Sequence, residues 1–202
     1  IPPTELNGKF TIVIDSNYFM DSLQKKDFQW LGTLTHELTH LLDFIQYAKL
    51  NNLDSYDVIQ RDMKHRPFML WTECNARAKG YFFIRKYVFG DKVNDKYDTD
   101  QTDYILQTEL PYQINVFANG YREAADNTWQ QMYAATQFIG RYSIWEELFP
   151  NVFTKGLRRQ VLGINQWVMD LYLLFLSNRE LETANENGEE MLDIMRSNWK
   201  GL

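Results

Sequence analysis

At 202 residues, with 45% hydrophobic, 15% aromatic and 24% charged residues, the chain can bury one sizeable core and is not of disordered composition. A net charge of −6 excludes a broad basic surface, so nucleic acid is not expected as the main partner. The single cysteine, Cys74, excludes an internal disulfide framework and fits a reducing, cytoplasmic setting.

The first recognisable element is a turn signal, Asn7-Gly8, followed by the β-rich run Phe10 to Ile14, read as a short strand or hairpin. A helix is predicted from about Asp27 to Asn51. A second long helix starts at Pro67, a residue suited to a first helical turn. The polar stretch "GDKVNDKYDTDQTD", residues 90–103, is the best linker candidate. Further helices are predicted at about 101–110, 112–118, 121–140, 156–178 and 188–199, with breaks at Pro111 and Pro150. The most apolar run, residues 161–176, contains Asn165, Gln166 and Asp170. It is shorter than the roughly 20 apolar residues a bilayer span needs, so no membrane span is expected.

The expected fold class is thus α+β and predominantly α-helical, with a short N-terminal strand or hairpin and a helical C-terminal half. Residues 1–92 form the core that carries the motif described next. Residues 93–202 form a helical extension packed on it in the same structural domain.

Within "LGTLTHELTHLLDF", residues 31–44, His36 and His40 stand four apart and so share one side of a helix. Leu31, Leu34, Leu38, Leu41, Leu42 and Ile45 fall on the opposite side, which is expected to enter the core and leave the imidazoles on a cleft. Two stacked imidazoles can grip one tetrahedral Zn²⁺, with a third protein ligand and a water completing the site. Glu37, one position round, can take a proton from that water as general base.

A third ligand must come from elsewhere. Glu73 lies in the apolar stripe of the second long helix with Met69, Leu70, Phe83, Ile84, Tyr87 and Val88, where an unpaired carboxylate is costly. It can be answered by zinc or by Arg77, four residues on. Glu73 as ligand with Arg77 supporting it satisfies both. His65, the third histidine, is a rival ligand or a group lining the cleft for substrate or oxyanion. Asp43, three residues after His40, can orient a histidine N–H or be a solvated acid. Glu109, Glu146 and Glu147 are read as surface residues. Tyr47, Tyr81 and Tyr112 are possible oxyanion donors, and Cys74 is read as an inert buried thiol.

A short strand ("KFTIVID"), a helix with "HELTH" and a downstream helix with "ECNARAKGYF" together resemble the gluzincin arm of the zincin metallopeptidases. Compact domains of the ImmA/IrrE type are the most similar in style. The resemblance covers about residues 9–90 and implies zinc on His36, His40 and Glu73, with Glu37 as base. It also implies that substrate backbone pairs with the strand before the motif helix. The interval from His40 to Glu73 is longer than in the compact pattern, which implies an inserted element around 51–66. Residues beyond about 100 match nothing in it. Two readings follow: a zinc-dependent metallopeptidase acting on protein or peptide, or a catalytically silent zincin-like regulatory or protein-binding module. A third, a metal-free helical interaction protein, requires both the motif and the buried carboxylate to be accidents.

Overall fold

The computed structural model describes residues 2–25, 28–88, 101–125, 127–163 and 165–198. Its first helix, α1 (Ser16–Gln24), begins where the β-rich run ends. The Asp15 carboxylate accepts from the backbone N–H groups of Asn17 and Tyr18 at 2.8 and 3.0 Å, satisfying donors that a helix start leaves free. Phe19 meets Trp30 edge-on at 5.0 Å and ties α1 to the motif helix, α2 (Trp30–Leu50).

The expected strand at Phe10–Ile14 does not form. Those residues have irregular backbone; Phe10 packs on Tyr56 with ring centres 5.1 Å apart, while Val13 is 75% exposed. A strand needs a neighbour for its backbone groups, and the described residues provide none. Their only β pairing is the isolated antiparallel bridge between Glu5 and Ser55. Among the described residues the architecture is therefore predominantly helical and without a sheet.

The interval expected to hold an inserted element contains α3 (Asp57–Arg61) and a 3₁₀ turn (Met63–His65). Helix α4 (Arg66–Phe83) follows, with Pro67 in its first turn, and passes into a π-helical turn at Ile84–Val88. Helix α4 is buried nearly all round, from Phe68 and Leu70 to Ala76, Ala78 and Tyr81, as befits a central helix. It packs between α2 and α6 (Thr128–Leu148). Glycines bring these helices close. A Cβ on Gly80 would lie 2.5 Å from the Gly32 carbonyl oxygen and 3.2 Å from His36 Cβ. One on Gly140 would lie 2.5 Å from the Cys74 carbonyl oxygen.

Helix α5 (Leu110–Glu123) precedes α6, and α7 (Lys155–Leu162), α8 (Gln166–Ser177), α9 (Leu181–Glu186) and α10 (Gly188–Asn198) follow it. Pro111 does not break the chain's path as expected, because residues 101–123 run as one helical stretch. The π-helical turn at Ile105–Glu109 widens the helix just ahead of the proline, where the missing N–H and the ring have to be accommodated. The helix expected over 156–178 is two helices, the first closed at Gly163. Residues 90–100 of the expected linker lie outside the described residues, and 101–103 are helical. No helix among the described residues is long and apolar enough to cross a membrane.

Two acids assigned to the surface are inside. Glu109 pairs with Arg85. Glu146 receives both Nε and Nη2 of Arg158 at 2.7 and 2.6 Å and the Tyr172 hydroxyl at 2.7 Å. That group lies beside an aromatic cluster of Tyr142, Trp145, Phe153 and Tyr172. Glu147 is half exposed.

Helix α2 is also turned the other way from the expectation. Leu38 and Leu42 are 43% and 56% exposed, while His36, Thr39, Asp43, Phe44, Tyr47 and Ala48 are buried. The imidazole face is thus the packed face, laid against α4.

Candidate metal centre

Close packing of α2 on α4 brings three side chains together. His36 Nε2 lies 3.4 Å from Glu73 Oε1, and His40 Nε2 lies 3.2 Å from Glu73 Oε2. The two Nε2 atoms are 3.1 Å apart. One ligand atom from each of the three residues falls within 4.8 Å of the others. His36 and Glu73 are buried, and the His40 side chain keeps 21% of its surface exposed.

Protonation follows from the neighbours. Burial, then the charge of Arg77, holds His36 down at about 4 against the opposing pull of Glu73, so the ring is neutral near pH 7. Burial opposes ionisation of Glu73, yet a hydrogen bond and charge from His40, with the charges of His36 and Arg77, hold its carboxyl below the usual range. For His40 the tautomer is set from behind. Thr72 donates its hydroxyl proton to Asp43 Oδ2 at 2.7 Å, so at 3.0 Å from His40 Nδ1 the same hydroxyl acts as acceptor. Nδ1 then carries the proton of the neutral ring; Nε2 donates to Glu73 when the ring is doubly protonated and offers its lone pair to a cation when it is not. Asn75 Nδ2 donates to both Asp43 oxygens at 3.0 and 3.3 Å. Burial raises Asp43 above its ordinary value, against the Asn75 and Thr72 hydrogen bonds.

Two imidazole nitrogens and a carboxylate are all electron-pair donors. They converge stably only around something positive, a shared proton or a metal cation. Two imidazoles and one carboxylate form a donor set of the kind that binds metal ions in proteins. The arrangement is compatible with a metal ion.

The remaining candidates separate cleanly. Asp43 reaches His40 through Thr72. Arg77 Nη2 is 3.8 Å from Glu73 Oε1, on the face expected for it. Glu37 is half-buried on α2 beside His36, and its charge is felt at Tyr133. His65 is neither ligand nor cleft group for this centre: it is buried in the 3₁₀ turn with Nδ1 2.8 Å from the Tyr47 hydroxyl. That contact also takes Tyr47 away from the centre. Tyr81 is occupied by Arg85 and Trp145, which donate to its hydroxyl at 2.8 and 2.6 Å, and Tyr112 is exposed. Cys74 is fully buried, which pushes its thiol well above the ordinary value, as fits an inert core residue.

Helix α6 supplies residues that motif reading missed. Gln137 donates its amide to Glu73 Oε1. Tyr133 lies near Glu73 and Glu37; burial, then the Glu73 charge, pushes its hydroxyl up to about 12, so it is a proton donor at neutral pH. Tyr133, Gln137 and Arg141 recur every fourth residue. That recurrence of polar groups at helical spacing was the available signal.

No protein-family model, no curated protein and no solved structure matches this chain.

Proposed function

We propose that the chain is a zinc-dependent peptidase, with zinc held by His36, His40 and Glu73 and with protein or peptide as substrate. The observation that supports this best is the convergence of the three ligand atoms within 4.8 Å, with Glu37 next to His36 on the same helix. Zinc, when bound, supplies Lewis acidity that lowers the pKa of water toward neutrality and polarises a carbonyl. Glu37 takes the proton from the attacking water and returns it to the leaving amine. The Tyr133 hydroxyl, protonated at neutral pH, donates to the oxyanion that develops on the scissile carbonyl. Thr72 and Asp43 keep His40 in the tautomer that binds.

One observation favours the second reading, a zincin-like module that binds without cutting. Gln137 is hydrogen-bonded to Glu73 and His36 is buried, so one side of the centre is closed. Zinc stoichiometry on wild type, Glu73→Ala and Glu37→Gln, followed by a peptide-hydrolysis screen, separates the readings. Peptidase action requires one zinc per wild-type chain, weak retention in Glu73→Ala, and zinc without turnover in Glu37→Gln. Zinc with no turnover in wild type supports the silent module. Absence of zinc from folded wild type rules out both.

A further inference from the structure

Three of the side chains around Glu73, namely Arg77, Gln137 and Tyr133, also form a wall of a cavity of about 510 Å³ between α5 and α6. Its volume lies in the range of small-molecule and side-chain binding sites. Arg141 lines it one helical turn beyond Gln137, bonded to Gln113 and stacked over the Tyr81 ring at 5.5 Å, with Phe117 among the apolar lining. The cavity therefore shares a wall with the candidate metal centre, and it is amphipathic.

Its electrostatics are unbalanced. Arg77 and Arg141 face the same space, and the Nε of each is buried without a hydrogen-bond partner. Arg141 gives one Nη1 bond to the Gln113 amide oxygen, and Arg77 reaches Glu73 only at 3.8 Å. A guanidinium has five N–H donors and no acceptor, so both have unused donors. Burial, then the Arg77 charge, lowers the pKa of Arg141, with Tyr81, Glu109 and Tyr112 opposing. One carboxylate lines the cavity, that of Glu123 at the exposed end of α5. Two half-buried cations with buried, unpartnered Nε atoms, set against apolar lining, call for an anion with paired oxygens.

Building on the peptidase reading, we propose that this cavity is the specificity pocket of the metal centre and takes a carboxylate of the peptide substrate, gripped by Arg141 and Arg77. The carboxylate is either an acidic side chain near the scissile bond or the peptide's C-terminus. In both cases the pocket fixes which bond reaches Glu37.

The test uses zinc-treated Glu37→Gln protein, which holds substrate without cutting it. Paired pools of N-acetylated hexapeptides carry Glu or Gln at one fixed position and end in a free acid or an amide. Retained peptides are identified by mass spectrometry. About tenfold enrichment of acidic over neutral partners is expected, the size of a charge-assisted hydrogen-bond pair. A Glu/Gln difference names a side chain, and an acid/amide difference names the C-terminus. The enrichment falls to near unity in Arg141→Gln with zinc content unchanged, and Arg141→Lys restores part of it. Should Arg141→Gln not fold, Glu123→Lys carries the test by raising the enrichment severalfold. Equal retention of acidic and neutral peptides overturns the proposal, as does a preference that neither Arg141 nor Glu123 alters. Retention is read without turnover, so the two failures separate. Carboxylate preference in a chain that binds no zinc refutes the peptidase and leaves the pocket; zinc-dependent cleavage with no such preference does the reverse.

Discussion

Thr72 donates its hydroxyl to Asp43 at 2.7 Å across the packed faces of α4 and α2, and this leaves it only an acceptor role toward His40. The polarity of the whole chain, from Asp43 through Thr72 to His40, is set by that one proton. Thr72→Val keeps the shape but removes both hydrogen bonds. It is expected to lower zinc affinity about 10- to 100-fold, the usual effect of losing a group that orients a ligand. Competition with a fluorescent chelator measures this, and affinity equal to wild type would show that Thr72 does not set the tautomer.

The contact of Gly80 with Gly32 and His36 fixes how closely α2 approaches α4. Gly80→Ala puts a methyl 2.5 Å from the Gly32 carbonyl oxygen, and backbone has to move to admit it. Overpacking of this kind costs about 1–3 kcal/mol. Since His36 is on the displaced side, zinc retention should fall as well. Gly156→Ala is the control: its nearest contact would be 3.6 Å away, so helix propensity makes it neutral or stabilising by up to about 1 kcal/mol. Thermal melts and zinc titration of both variants check the pair, with equal behaviour counting against close packing as the positioning device.

What could be read in the sequence was local chemistry. The spacing of His36 and His40 puts them on one side of any helix, and Glu73 stands out because its neighbours at helical spacing are apolar. Both follow from backbone geometry alone. Orientation was less accessible. Leucines at 31, 34, 38, 41 and 42 predict a buried side, but periodicity does not say which partner helix exists, and α4 lies against the other face. The strand at Phe10–Ile14 had β propensity without a neighbour to pair with. Tyr133 and Gln137 reach Glu73 from some sixty residues away in sequence, and only the packing of α6 on α4 reveals that they do.

The reversed face of α2 has a direct consequence for stability. Leu42 is 56% exposed, so Leu42→Ser is expected to change unfolding free energy by no more than about 0.5 kcal/mol. Phe44 is buried and meets Phe68 edge-on at 5.3 Å; Phe44→Ala should cost about 3 kcal/mol or more. Urea unfolding of the two variants decides the orientation. A large loss for Leu42→Ser with a small one for Phe44→Ala would restore the orientation the leucine pattern suggests.

His65 supplies a pH dependence remote from the candidate metal centre. Burial, then the charge of Lys64, lowers its pKa, with Asp62 opposing. The Tyr47 hydroxyl, pushed up to about 12 by burial and then by the Asp62 charge, keeps its proton and donates it to the bare Nδ1 at 2.8 Å. Nε2 then holds the ring's hydrogen and is buried without a partner. A protonated ring would lose the hydrogen bond that Tyr47 donates and place a charge at a buried position beside Lys64. With the folded pKa below the unfolded one, the unfolded chain binds more protons between the two values. The contribution of His65 to stability is therefore complete above about pH 6.5 and is lost as pH falls toward the folded pKa. His65→Gln removes that titration, so its melting temperature should fall less steeply than that of wild type between pH 7 and 5. Melts with excess chelator isolate the effect from metal binding, and parallel profiles would show that His65 does not titrate on unfolding.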